Sequence, residues 1–205
     1  MKIPSKKNDL RVIRTRKLIE DAFLSLSKEK DFEAITVKDI ADKAAVNRTT
    51  FYTHFVDKYA LLDNLFSETF TNLLSERIKS DATLTEETLK ELIFIVCDYN
   101  DSLNSQCKRI YRSASTLMDS KMQLKLQDIV KNLLMKGITS NDVDIKKIET
   151  YAIMISSSIY FATSHWYKED ESKDISALVT EILAFVMTGI EVILEKNILN
   201  TGSMK

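Results

Sequence analysis

Residues 35–62, ITVKDIADKAAVNRTTFYTHFVDKYALL, decide how the rest of the chain is to be understood. Thr36-Val-Lys-Asp39 is an S/T-x-x-[DE] box: the Thr hydroxyl accepts from an amide of the first turn while the carboxylate reaches back to the cap, so a helix starts here. It runs through Ile40 and Ala41 to about Lys43. Ala44-Ala45-Val46 is a short connection, and Asn47 is a good N-cap for a second short helix through Arg48, Thr49, Thr50, Phe51, Tyr52 and Thr53. Two such helices joined by a few residues make a helix-turn-helix. Phe51 and Phe55, one helical turn apart, supply its packing core with Val37, Ile40, Ala41, Val46 and Phe23. Asn47, Arg48, Thr49, Thr50, Tyr52, Thr53 and His54 are left to face outward. Hydroxyls, an imidazole and a guanidinium at that density suit hydrogen bonds to the phosphates and base edges of double-stranded DNA.

The charge balance places this motif in a basic setting. The whole chain carries a net charge of −1, yet residues 1–60 hold 13 Lys/Arg against 9 Asp/Glu, and the remainder 16 against 21. Residues 1–17 alone hold Lys2, Lys6, Lys7, Arg11, Arg14, Arg16 and Lys17 against Asp9. That asymmetry points to a small domain facing a polyanion and a larger one that does not.

Composition removes other classes. With 205 residues, 44% of them hydrophobic and 29% charged, the chain has enough apolar surface to fold. Only Gly137, Gly189, Gly202 and Pro4 are available for turns, so neither a hairpin-rich β fold nor a glycine-cradled phosphate site can be built. His54 and His165 have no metal-ligand spacing, and no nucleophile-base arrangement appears, so neither enzyme chemistry nor a metal or cofactor is expected. Cys97 and Cys107 form no disulfide framework and no C-x-x-C pair, which suits a reducing, cytoplasmic location. The N-terminus is basic but has no apolar segment of the kind a secretory signal needs. The most apolar stretch, Ile175 to Leu194, carries Glu181 and Glu191, which argues against a membrane span.

Outside the motif, apolar residues recur at helical spacing nearly everywhere, so the chain is expected to be all-α. The first helix spans about Leu10 to Lys28, with Val12, Leu18, Ile19, Ala22, Phe23 and Leu26 as its apolar stripe. Beyond Asp57 the spacing predicts helices over 57–79, 85–103, 105–117, 121–136, 145–168 and 173–198.

Ile35 to Leu62 resembles the DNA-binding domain of the TetR/AcrR transcriptional regulators, and the likeness extends back to about Arg14. Its carriers are Thr36, the Ile40-Ala41 pair, the short turn, Phe51-Tyr52-Thr53-His54-Phe55, Lys58 and Leu61-Leu62. The resemblance implies a three-helix DNA-binding domain over residues 1–56 and a helical effector-binding and dimerisation domain over 57–205. It also implies that Thr36, Tyr52, His54 and Lys58 position the DNA backbone while Arg48, Thr49 and Thr50 read bases. Ala45 stands where many members of the family carry Gly, at a position that favours a left-handed backbone.

The last two helices suit a homodimer. Ile155 and Ile159 on one, with Ile182, Phe185, Val186 and Ile193 on the other, are the expected interface of a four-helix bundle, with Ser156-Ser157-Ser158 permitting close approach. Phe66, Phe70, Phe94, Tyr99, Tyr111, Met118 and Trp166 are candidates for the wall of a pocket that holds a small, partly apolar effector. The combination predicts a regulator, of repressor type, that binds a palindromic operator and is released by a small molecule. The alternative is a helix-turn-helix regulator or activator whose C-terminal domain answers to a protein partner.

Overall fold

The computed structural model describes residues 10–137, 144–169 and 174–201, without side-chain placement at 104–108, 111–113, 115, 117, 169 and 191–201. Among the described residues the fold is all-helical. Its elements are α1 (Leu10–Ser27), a 3-10 turn (Phe32–Ala34), α2 (Val37–Lys43), α3 (Arg48–His54), α4 (Lys58–Arg77), α5 (Glu86–Gly137), α6 (Ile145–Glu169) and α7 (Ile175–Thr201).

Two compact units are present. The first takes the described residues up to Thr69 together with Ser102–Asp119; the second takes Phe70–Asp101 and the described residues from Ser120 onwards. The sequence places a boundary at 56/57, whereas the first turns of α4 group with the N-terminal helices, and so does the middle of α5.

The first unit is built on aromatic packing. Ile19, Phe23, Leu26, Phe32, Ile35, Ile40, Phe51, Phe55, Leu61 and Leu62 are all buried, and each large side chain removed from water contributes roughly 1.5–3 kcal/mol. Phe32 meets Phe23 edge-on at 6.3 Å and Tyr59 at 5.0 Å. Two members of the expected packing set, Val37 and Val46, are only half-buried, and Leu18 is exposed. Periodicity assigned Leu18 to the α1 stripe because a one-dimensional pattern cannot tell the edge of an apolar face from its centre. From the α5 segment, Arg109 reaches the same unit: its guanidinium donates to the Glu29 carbonyl and pairs with Asp31 at 3.2 Å.

In the second unit, α5 corrects the expected helix breaks. Its backbone is helical without interruption, yet a straight helix of 52 residues is about 78 Å long, and the Leu84 amide, just before it, donates to the Leu133 carbonyl near its end at 3.3 Å. Asn100 donates to Thr163 of α6, and Gln123 donates to Ser156 and Ser157 of the same helix. From Ser157 to Thr163 α6 rises about 9 Å, whereas a straight helix from Asn100 to Gln123 would rise about 34 Å. The chain therefore doubles back between Asn100 and Gln123, and its two legs both pack on α6. The expected helices at 85–103, 105–117 and 121–136 are one bent helical span; with neither Gly nor Pro in the interval, backbone hydrogen bonding continues where periodicity shifts.

The core of this unit holds Leu89, Leu92, Ile93, Val96 and Leu126 with Ile155, Ile159, Tyr160, Leu178 and Ile182. Among the described residues, no helix is long and apolar enough to cross a membrane.

Candidate nucleic-acid interface

The helix-turn-helix is held by caps at each end of its turn. The Thr36 hydroxyl accepts from the Asp39 amide at 3.1 Å, and the Asp39 carboxylate accepts from the Thr36 amide at 2.9 Å, which closes the expected capping box. Those bonds from Thr36 hold the Asp39 carboxyl down to about 2, with Lys30 adding to the effect. At the other end of α2, the Val46 amide bonds to the Ala41 carbonyl and the Ala45 amide to that of Asp42. This is the pair of bonds that ends a helix through a left-handed residue. Ala45 supplies that residue, with φ 55°, and it alone among the described non-glycine residues has positive φ. Asn47 then caps α3, its side-chain oxygen accepting from the Thr50 amide at 2.6 Å.

Seven residues of helix divide cleanly into two faces. Phe51 is fully buried, and Phe55 follows it into the core with ring centroids 5.8 Å apart. Asn47, Arg48, Thr49, Tyr52 and Thr53 are exposed, Tyr52 by 55%, while Thr50 and His54 are half-buried. Burial, with the charge of Arg16 behind it, holds the His54 imidazole below its usual 6.5, so it is neutral at pH 7.

Hydroxyl protons narrow the set of groups able to donate to DNA. Thr36 donates to the Asp39 carboxylate at 2.8 Å, Thr50 to the Asn47 side-chain oxygen at 2.9 Å, and Thr53 to the Thr50 carbonyl at 2.7 Å. A phosphate oxygen only accepts, so these three hydroxyls are not free to bind one while the local bonds persist. Arg48, Thr49 and Tyr52 are exposed, and among the described residues no such local bond holds their donors.

Lys58 departs furthest from the expectation that it holds phosphate. Its ammonium donates to the carbonyls of Phe32, Glu33 and Ile35 at 2.9, 3.2 and 3.1 Å. It also lies 4.6 Å from the Phe32 ring centroid and pairs with Glu33 at 3.6 Å, with only 14% of the side chain exposed. Lys58 fastens the loop that precedes Thr36. The single-letter pattern could not separate the two roles, because the carbonyls it binds lie in a stretch with no side-chain signature.

Arg16 is a positioning residue that the sequence reading missed. It pairs with Glu20 at 2.9 Å, donates to Asn64 at 3.2 Å, approaches Glu68 at 3.8 Å and covers the Phe55 ring at 5.2 Å, so it ties α1 to the end of α3 and to α4. Burial raises the Glu20 carboxyl, with Arg16 opposing it. The i, i+4 spacing of Arg16 and Glu20 was visible in the sequence; the partners across the unit were not.

The effector candidates are divided between the two units. Phe66 and Met118 fall in the first unit and Phe70, Phe94, Tyr99 and Trp166 in the second. Phe70, Tyr99 and Met118 are buried, and Phe70 meets Tyr99 edge-on at 5.6 Å, as core side chains do. Phe66, Phe94 and Trp166 are half-buried, and the Tyr111 side chain lies outside the described residues.

The interface candidates separate as well. Ile155, Ile159, Ile182 and Val186 are buried within their own chain, whereas Phe185 is 72% exposed; the Ile193 side chain lies outside the described residues. A helix as widely apolar as α7 carries two apolar faces, and spacing alone does not say which one its own chain covers. An open apolar groove of about 660 Å³ runs along α6 and α7, and three of these candidates, Ile155, Phe185 and Val186, line it beside Tyr151, Met154 and Gly189. Among the described residues, no cluster of His, Cys, Asp or Glu could hold a metal ion.

Capped α2, a left-handed turn and a half-exposed polar α3 define a helix-turn-helix protein of the DNA-binding class. The family model for bacterial regulatory proteins of the tetR family matches residues 19–65, so this segment carries the DNA-binding domain of that family. The relatives that match the chain are transcriptional regulators. A fatty acid metabolism regulator protein of Bacillus subtilis is 26% identical over 183 residues, 84% of this chain and 93% of its own length. The uncharacterised HTH-type transcriptional regulator YxbF, also of Bacillus subtilis, is 34% identical over 87 residues; the match spans 42% of this chain and only 23% of that relative. Among solved structures, the transcriptional regulator FadR of Bacillus subtilis in complex with stearoyl-CoA is 21% identical with a TM-score of 0.53, covering 84% of this chain and 98% of that one.

Proposed function

We propose that the protein is a cytoplasmic repressor that binds a palindromic operator as a homodimer and leaves it when a small effector with a long apolar portion binds. The observation that carries the DNA side is α3, whose buried Phe51 and neighbouring Phe55 hold an opposite face of exposed Asn47, Arg48, Thr49 and Tyr52. In a helix-turn-helix the second helix enters the major groove and its first residues meet the base edges. Residues 1–56 carry this function and residues 57–205 carry dimerisation and effector binding. The open groove along α6 and α7 supports the dimer, since apolar surface of that extent calls for a covering partner.

The effector class is suggested by the likeness to a fatty acid metabolism regulator over most of both chains. It agrees with a helical second unit in which Phe94 and Trp166 stay half-buried. A long-chain acyl-CoA is the first compound to test. Selection of duplex fragments by the purified protein should return an inverted repeat bound by an even number of chains. Trp166 is the sole tryptophan, so its fluorescence reports ligand directly. Acyl-CoA should alter it and weaken operator binding, and operator should weaken acyl-CoA binding by the same factor. Equal ligand affinity with and without operator would remove the effector from the proposal.

A further inference from the structure

Asn47 is oriented by its own cap. The side-chain oxygen accepts from the Thr50 amide at 2.6 Å and from the Thr50 hydroxyl at 2.9 Å. A backbone amide can only donate, so the oxygen, not the nitrogen, faces α3. A carbonyl oxygen has two lone pairs, and both are in use. The amide nitrogen is left with two N–H donors on an exposed residue, and no described residue accepts from it.

Asparagine ordinarily pairs with adenine by giving an N–H to N7 and accepting from the N6 amino group, which needs the oxygen free. Here it is not. Guanine presents two adjacent acceptors, N7 and O6, on its major-groove edge, and thymine presents O4. Adenine would leave its amino group facing a filled oxygen, a donor without a partner.

Resting on the proposal that α3 enters the major groove, we infer that Asn47 is a specificity-determining residue that reads guanine and rejects adenine at one position of each half-site. Thr50 acts through Asn47: its hydroxyl occupies the second lone pair and makes the amide donor-only. Arg48 and Thr49, exposed on the first turn, read neighbouring positions independently.

The test is selection of randomised duplexes by the full-length protein and by N47S, N47D, T50A, R48A and T49A, with thermal melting of each. N47S and N47D retain a capping oxygen, so they should melt close to the parent; N47D has no donor left, and N47S loses the pair of amide donors and keeps one shorter-reaching hydroxyl. The expected result is a guanine in the parent selection whose preference vanishes in N47S and N47D, with affinity for the parent operator down about tenfold. T50A frees one lone pair and should admit adenine at that same position while leaving the others unchanged.

Adenine at the Asn47-dependent position of the parent would overturn the donor-only assignment. A loss in N47S equal for all sequences would place the amide on a phosphate and overturn base reading. If N47S, R48A and T49A all selected the parent sequence unchanged, α3 itself would not be the reading helix, and the underlying proposal would fail with the inference.

Discussion

At the scale of single residues, Ala45 shows what a turn costs when glycine is absent. Its φ of 55° lies where a Cβ crowds the following carbonyl, at roughly 1–2 kcal/mol for an L-residue. Glycine relieves that strain but gives up some entropy of the unfolded chain. Ala45→Gly should therefore stabilise the protein by about 0.5–1 kcal/mol in equilibrium denaturation; a loss of stability would mean that the Ala45 methyl makes contacts worth more than the strain. His54 gives a pH signature. Burial first, then Arg16, hold its pKa below 6.5, so the folded protein binds fewer protons than the unfolded chain. Stability is complete above 6.5 and declines as pH falls through the window beneath it. Melting curves between pH 7.5 and about 5.5 should show that decline in the parent and a shallower one in His54→Gln; parallel curves would place the acid sensitivity elsewhere.

At the scale of elements, the loop from Phe32 to Thr36 depends on a side chain delivered by α4. Removing the Lys58 ammonium takes a donor from three carbonyls, of which that of Phe32 keeps the Ile35 amide. Lys58→Met should lower stability by about 1–3 kcal/mol and weaken operator binding by loosening the start of α2. A lysine on phosphate contributes about 0.9 to the slope of log affinity against log salt. Because this ammonium is held by carbonyls, the slope of the variant should match the parent; a slope reduced by about one unit would return Lys58 to the DNA backbone. Arg109 does comparable work from α5, holding the Glu29 carbonyl and Asp31.

Over the whole molecule, the proposed dimer turns on α6 and α7. Phe185 and Ile182 lie on the same apolar helix, yet one is exposed and the other buried in its own chain. Phe185→Asp should leave the fold and melting point nearly unchanged and shift sedimentation from dimer to monomer. Specific operator affinity should then fall by about two orders of magnitude or more as the two half-sites cease to be read together. Ile182→Asp instead places an unpaired charge in the core, at several kcal/mol, and should unfold the second unit whatever the oligomeric state. An unchanged dimer in Phe185→Asp would show that the groove along α6 and α7 is not where chains meet.

The local chemistry of the helix-turn-helix was legible in the residues themselves. The Thr36 and Asn47 caps and the burial of Phe51 and Phe55 follow from interactions within a few residues of chain, which spacing encodes directly, whereas the left-handed Ala45 was expected only from the family resemblance. All-helical character was equally plain, since 3.6-residue periodicity persists almost throughout. Tertiary structure decided what depends on partners far along the chain: that Lys58 meets carbonyls more than twenty residues away, that Arg16 gathers Asn64, Glu68 and Phe55, and that α5 folds back on itself. It also decided which of two apolar faces on α7 stays open. The physical reason is that hydrophobicity has no direction: periodicity marks a face as apolar, and only packing determines whether the chain's own core or open solvent lies against it.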